Sequence, residues 1–332
     1  MIKSHAFLYI WHSFNYKIML GKLNSRIFLL FFITAPASTL LAQEGSLLFN
    51  RTSFSIYNPA YTGTDGASVS FNTRSQWKNI EGAPRTNYLI YHMPKKKNVH
   101  LGFTAQNDRV FVENKTFFTV DYNYQLQLTD DRFLYLGLKG GGFYNNIDVN
   151  GIERIYDNFN PALSVIKSYF TPVIGVGMHY KAPNYFLGIG VPSIFNNKRF
   201  EDTKDWETTA SDYSYIHFSA GGSIKLKDIS LNPMIVYRSI PNSPNLFSGT
   251  VDLSFKEKIS IGAGYSNNEN MAVFITSKNK WGFEWGYGYE FTSTAISDVT
   301  KEPAHEIMVR INLEKKVKPE EDQSENKEDE KE

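Results

Sequence analysis

Cysteine, net charge and long apolar runs are what this chain lacks. With Cys 0 in 332 residues, disulfides, thiolate nucleophiles, cysteine-based zinc sites and lipid attachment at a cysteine are excluded. Lys+Arg 35 against Asp+Glu 34 leaves a formal +1, so no global field draws in nucleic acid or acidic substrates. No stretch reaches the roughly 18 to 20 apolar residues of a membrane-spanning helix, which excludes a helical membrane protein. Aromatics are in excess instead: Tyr 20, Phe 25 and Trp 5 make 15% of the chain, although the mean hydropathy is only −0.35. A chain rich in rings yet polar on average is either a soluble β protein or a membrane β-barrel, whose alternating pattern hides from hydropathy averages.

The N-terminus separates these two. Residues 1–43 contain no Asp or Glu but carry Lys3, Lys17, Lys22 and Arg26 ahead of the apolar Ile27-Phe28-Leu29-Leu30-Phe31-Phe32-Ile33. Small residues follow, from Ala35 through Ala37 and Ser38 to Ala42-Gln43. This is the layout of a secretory signal peptide, too short for a membrane anchor. The expected cleavage follows Ala42, with Ala37 as the second choice, and Met19 is an alternative start; the competing reading is a buried N-terminal helix. Export without cysteine points to a bacterial envelope, since eukaryotic secreted domains usually carry disulfides.

Beyond the leader the period is two. Phe118, Val120, Tyr122, Tyr124, Leu126 and Leu128 alternate with Thr119, Asp121, Asn123, Gln125 and Gln127, so one face of a strand is apolar and the other polar. Trp281, Phe283, Trp285, Tyr287, Tyr289 and Phe291 alternate in the same way with Gly282, Glu284, Gly286, Gly288 and Glu290. Six large rings in one stripe are hard for a soluble core to fill, whereas a lipid-facing wall accepts them. The same reading predicts strands over 66–77, 85–93, 98–108, 115–128, 132–144, 169–180, 184–192, 214–226, 228–238, 246–256, 258–266, 270–277, 280–291 and 303–313. Those 14 segments are an even number, as a bacterial single-chain barrel requires. Tight links follow every second strand, and the remaining links include the two longest, 145–168 and 193–213. Short periplasmic turns and long external loops are the outer-membrane habit. A soluble sandwich or propeller needs no such alternation, and no repeat of 40 to 50 residues is visible.

The expected fold is therefore all-β: a single-chain transmembrane antiparallel β-barrel of about 14 strands, with little helix outside loops and residues 44–58. The expected organisation is a signal peptide at 1–42, an N-terminal segment at 43–65, the barrel at 66–313 and an acidic tail at 314–332. That tail holds nine acidic and five basic residues with Val317 its one aliphatic, a composition that cannot bury enough surface to fold. Lys95, Lys96, Lys97, Lys181, Lys227, Lys256, Lys258, Lys278 and Lys280 sit at or beside the tight links. There they can meet lipid phosphates or serve as solvated turn residues; binding to peptidoglycan through them or the tail is a subsidiary expectation.

Patterns that carry chemistry are thin. His305-Glu306 is followed by Ile307, Met308 and Val309, so the second histidine of a zinc motif is missing. Lys139-Gly140-Gly141-Gly142 lacks phosphate-loop spacing and lies within a strand pattern, where glycine marks bends or close approaches. His217 and Ser219 share a polar face, with no acid brought to His217. No catalytic residue, metal ligand or cofactor site is expected. Asp121, Asn123, Gln125, Glu284, Glu290 and Arg310 give a lumen of both charge signs, which suits a plugged, salt-bridged interior or an aqueous pore.

One block is distinctive. Asn58-Pro59-Ala60-Tyr61-Thr62-Gly63, then Arg74-Ser75-Gln76-Trp77, then Gly82-Ala83-Pro84-Arg85-Thr86, resembles the opening signature of the PorP/SprF family of type IX secretion system outer-membrane proteins. Leu101-Gly102, Tyr122 to Tyr124, Leu136-Gly137-Leu138 and His305-Glu306-Ile307 extend the resemblance over roughly residues 45–313. It implies a non-enzymatic barrel in the outer membrane of a Gram-negative bacterium that contacts the type IX machinery and outer-membrane lipid. It also implies support for export, or surface anchoring, of cargo with C-terminal sorting domains; some relatives are paired with one gliding adhesin or one secreted protein. The alternative function is a porin or small-molecule channel. In local terms Asn58-Pro59 forms a turn that Thr62-Gly63 ends, and Gly82 and Pro84 suit the first external loop. Arg74 and Gln76 face away from Ser75 and Trp77, with Trp77 expected at an interface. The block reads as structural first and partner contact second. The last strand ends at Leu313 rather than on an aromatic, a departure from many outer-membrane barrels.

Overall fold

The computed structural model describes residues 48–77, 80–148, 168–195, 197–198, 211–212, 214–239, 241, 244–268, 270–292 and 303–313. The expected signal peptide and acidic tail, with most of the two longest loops, lie outside the described residues. Fourteen antiparallel strands form one sheet. The first half comprises β1 (Ser68–Gln76), β2 (Arg85–His92), β3 (Val99–Val110), β4 (Glu113–Thr129), β5 (Arg132–Ile147), β6 (Tyr169–Lys181) and β7 (Tyr185–Val191). Then come β8 (Ile216–Gly222, continuing as Ile224–Leu226), β9 (Ile229–Ser239), β10 (Leu246–Phe255), β11 (Ile259–Ser266), β12 (Asn270–Lys278), β13 (Phe283–Thr292) and β14 (Ala304–Asn312). Every strand pairs with its sequence neighbours, and β1 closes on β14 from Ser68↔Asn312 to Gln76↔Ala304. Closure leaves no sheet edge, so every ladder can be satisfied without water.

Alternation decides which side chains face out. Phe71, Leu89, Phe118, Val120, Leu136, Leu138, Val273, Trp285 and Ile307 are exposed on the outer wall, while the interleaved Asn72, Arg74, Asp121, Asn123, Lys139, Glu290 and Glu306 are buried. This inversion of a soluble core, apolar outside and polar within, is stable only where lipid covers the outer wall.

Three strands overrun the expected bounds. The ladder between β3 and β4 continues to Val110↔Glu113, and β5 reaches Ile147. The link Phe111–Val112 is therefore a two-residue turn where a longer loop was expected. β4 has 17 residues, against the roughly 9 to 11 that cross a bilayer. Its outward residues are apolar up to Phe118 and become Thr116 and Asn114 beyond it; those of β3 change from Leu101, Phe103 and Ala105 to Asn107 and Arg109. Pairing persists after the apolar face has ended, which raises β3–β5 as a wall at the long-loop end. Strict alternation of loop length is thus broken at Phe111–Val112.

The segment before β1 contains the one described α-helix, Asn50–Ser53, followed by 3-10 turns at Phe54–Ile56 and Pro59–Tyr61. The second turn lies just past the region where helix was expected. This segment does not stand apart from the barrel: Leu48, Phe49, Phe54, Asn58, Ala60, Tyr61 and Thr62 are buried, and the 3-10 turn at Pro59–Tyr61 packs on β4, β5, β6 and β7.

Candidate functional site

The lumen holds its own N-terminal segment as a plug. Asn58 organises it: its side-chain Oδ1 accepts from Ala60 N at 2.9 Å, capping the short 3-10 turn that Pro59 starts. Asn58 Nδ2 donates to Met178 O and Ile189 O, each at 3.1 Å, fastening the turn to β6 and β7. On the opposite side Asn123 Nδ2 donates to Ala60 O at 3.0 Å and Thr62 O at 2.7 Å, and Thr62 Oγ1 donates to Asp121 Oδ2 at 3.0 Å. Tyr61 OH and Ser219 Oγ lie 2.8 Å apart, and the Tyr61 ring packs with Phe54, Met234 and Val236. Burial of this phenol raises its pKa above the ordinary range, only partly offset by the Ser219 bond. Ile56 and Tyr57 pack on the buried Tyr88 and Ile90 of β2.

Two ion clusters anchor the plug to the wall. Asp121 and Lys139, both buried, pair at 2.8 Å, and Lys139 Nζ also donates to Ser55 O at 2.9 Å. Arg74 pairs with Glu290 at 2.8 Å and Glu306 at 3.5 Å. Glu306, fully buried, accepts from Leu48 N at 2.8 Å, Phe49 N at 3.4 Å and Asn72 Nδ2 at 2.8 Å. A buried charge with every lone pair directed at a donor is the arrangement that repays its desolvation.

The wall is shaped to receive the plug. A Cβ on Gly137 would meet the backbone of Pro59 and Ala60; on Gly177, the Asn58 carboxamide; on Gly188, Tyr61 OH; on Gly102, Thr62; and on Gly286, the Phe49 ring. Glycine on the inner face allows another backbone to approach closely. Asn58→Ala is expected to lose three hydrogen bonds and to lower stability by about 1–3 kcal/mol. Urea unfolding checks this, with faster proteolysis of the 48–66 segment as the companion result.

Below the plug, Lys181 Nζ bonds Asp65 Oδ1 at 2.8 Å and Thr64 O at 2.9 Å. Crowding by the surrounding wall works against the charge of Asp65, although its side chain is half open to solvent, but Lys181, then Arg310 and Arg51, outweigh that and hold its carboxyl below the ordinary range. A depressed folded-state pKa contributes stability above the unfolded value of about 3.9 and loses it as pH falls through the folded value. Protection of the plug from proteolysis is therefore expected to be flat from neutral pH down to about pH 5 and to fall in stronger acid. Asp65→Asn is expected to weaken protection at neutral pH and to flatten that acid-induced fall.

The signature residues separate into two groups. Asn58, Pro59, Ala60, Tyr61 and Gly63 form the plug, with Gly63 left-handed at φ 71° against His100. Arg74 reaches the plug through Glu306, and the Gln76 amide oxygen, in the orientation that satisfies both groups, accepts from Arg74 Nη2 and Nε at 3.3 and 3.2 Å. The others stay outside. Trp77 N donates to Pro303 O at 3.3 Å, Pro84 O accepts from Gln76 N at 3.0 Å, and Gly82 O accepts from Phe111 N at 2.7 Å. Thr86 lies opposite Arg74 in the β1–β2 ladder. Trp77 is half-buried and left-handed at φ 47°, at the first loop.

The remaining candidates take structural places. His305 faces outward to Tyr287 OH at 2.8 Å while Glu306 faces in, so the two cannot share an ion. His217 stacks on Tyr57 at 5.0 Å, and Ser219 is engaged by Tyr61. Gly141 lies against the β4 backbone and Gly142 under the Phe170 ring. Among the described residues no cluster of His, Asp or Glu has the arrangement of a metal site. A cavity of about 390 Å³ remains beside the plug, lined by Arg51, Asp65, Asp252, Phe274, Glu284 and Arg310.

A closed barrel with a lipid-facing outer wall and a plug of its own chain in the lumen defines an outer-membrane β-barrel protein. The model of the family "Type IX secretion system membrane protein PorP/SprF" matches residues 44–311, and the chain belongs to that family. It is thus a membrane component of the type IX secretion system. No curated protein matches the chain. Among solved structures, the Acinetobacter baumannii outer membrane protein Omp33 is similar at 7% identity and TM-score 0.44, over 74% of this chain and 98% of its own. The Pseudomonas putida toluene transporter TodX is similar at 8% identity and TM-score 0.45, over 82% of this chain and 98% of its own.

Proposed function

We propose that this protein is a non-enzymatic component that receives cargo carrying a C-terminal sorting domain, assisting its export or holding it at the cell surface through protein contacts. The observation that carries this reading is the plug: a segment hydrogen-bonded to opposite walls of the lumen makes the barrel a scaffold. The porin alternative needs a continuous water path, which in this reading residues 48–66 interrupt. Support for the receiving end comes from the raised β3–β5 wall, whose tip exposes Val110 and Phe111. In this reading residues 1–42 are the export signal, the tight turns face the periplasm, where machinery partners and the acidic tail lie, and the cargo is one protein or a few, a gliding adhesin among the candidates.

The test is deletion of the gene in its host, followed by mass spectrometry of secreted and surface proteins. Loss of one or a few proteins that share a C-terminal sorting domain is the expected result. An unchanged set of exported proteins contradicts the reading.

A further inference from the structure

Three neighbouring turns at the tight-turn end repeat one arrangement. Leu226 and Ile229 flank Lys227-Asp228; Phe255 and Ile259 flank Lys256-Glu257-Lys258; Lys280 precedes Trp281 and Phe283. The flanking residues are exposed on the outer wall, Trp281 at 76% and Leu226 at 64%, where the apolar band of the barrel ends. The ammonium groups stay close to that band: Lys256 Nζ lies 5.5 Å from the Phe255 ring centre and Lys280 Nζ 5.2 Å from that of Trp281. Among the described residues, Lys227, Lys256, Lys258 and Lys280 end on no carboxylate, so their charge is available to a partner.

Lys227 and Lys256 are left-handed, at φ 53° and 51°, a conformation that glycine or asparagine takes with less strain. Glu257 and Lys97 share it, at φ 54° and 57°, so this strain is common to the tight turns and the binding argument rests on the placement of the ammonium groups. The β2–β3 turn is basic too, with Lys95, Lys96 and Lys97, of which Lys95 Nζ donates to Gln125 Oε1; the next two turns at this end differ. The β4–β5 turn carries Asp130 and Asp131, and the β6–β7 turn Ala182, Pro183 and Asn184.

A cation held over a lipid-facing ring at the margin of an apolar band is placed at headgroup depth, where long basic side chains meet phosphate. We propose that the turns after β8, β10 and β12 form a binding arc for anionic phospholipid headgroups in the adjoining leaflet, with Lys227, Lys256, Lys258 and Lys280 as the phosphate contacts. A protein held by this arc is tilted or retained toward anionic lipid on one flank, since the acidic β4–β5 turn lies elsewhere on the ring. The inference rests on the tight turns facing the periplasm but not on the cargo, so its failure leaves the secretion reading standing.

The test uses the full folded chain in neutral detergent, titrated with phosphatidylglycerol or with phosphatidylcholine of the same acyl chains, and bound lipid counted by native mass spectrometry. The expected result is a preference for phosphatidylglycerol of about tenfold that weakens as salt is raised. Changing the four residues together to glutamine is expected to remove that preference, and changing them to arginine to keep it, which separates lost charge from lost folding. An equal preference in the glutamine variant and the wild type would overturn the proposal. So would unchanged lipid binding together with loss of sacculus binding, which would assign the lysines to a periplasmic polymer.

Discussion

Glu306→Ala is expected to destabilise the protein by about 3–5 kcal/mol, the cost of breaking a buried ion pair from one side. Glu306 accepts the backbone N–H groups of Leu48 and Phe49 together with Asn72 and Arg74. Its removal strands two plug amides and leaves Arg74 with Glu290 as its carboxylate partner. Both effects act on the same segment, so the plug loosens before the barrel does. Urea unfolding followed by tryptophan fluorescence gives the size, and limited proteolysis gives the place. Glu306→Gln is expected to lose less, because an amide oxygen still accepts one of the backbone donors. Equal stability of Glu306→Ala and the wild type would show that the plug is not held there.

Gly137→Val gives the second large effect and reaches the plug from the opposite wall. The new side chain would enter the backbone of Pro59 and Ala60, and neither side can yield easily: β5 is laddered to both β4 and β6, and the turn is pinned by Asn58 and Asn123. Overpacking of this kind costs about 1–3 kcal/mol or more. The barrel is expected to stay folded while residues 48–66 become sensitive to protease. Gly140→Val is the control on the same strand, since nothing lies within 4 Å of the Cβ position there. If both variants protect the plug equally, the glycine-lined seat is not what positions it.

The two substitutions also show which parts of the molecule were legible in the sequence. Alternation marks strands wherever one face meets lipid, and all fourteen expected segments appear as barrel strands. The same signal fails at 109–114, because above the apolar band the outward face of β3 and β4 turns polar although their ladder continues to Val110↔Glu113. The plug has no period: a four-residue helix and two 3-10 turns repeat nothing, so residues 48–63 read only as a turn at Asn58-Pro59. A signal for it did exist in the strands. Gly102, Gly137, Gly177, Gly188 and Gly190 all fall at inward positions on β3, β5, β6 and β7, where a close backbone is the physical reason for omitting a side chain. The mixed lumen charges were visible as Asp121, Glu290 and Arg310, but the pairing of Arg74 with Glu306 depends on closure of β1 on β14, which no local pattern encodes.

Closure of the lumen by residues 48–66 is the claim on which the scaffold reading depends, and conductance of the purified barrel in planar bilayers tests it most directly. The wild type is expected to show no steady ion current, and a variant lacking residues 48–63 to show porin-like steps. Steady conductance of the wild type, equal to that of the deletion, would contradict the account and return the protein to the channel reading.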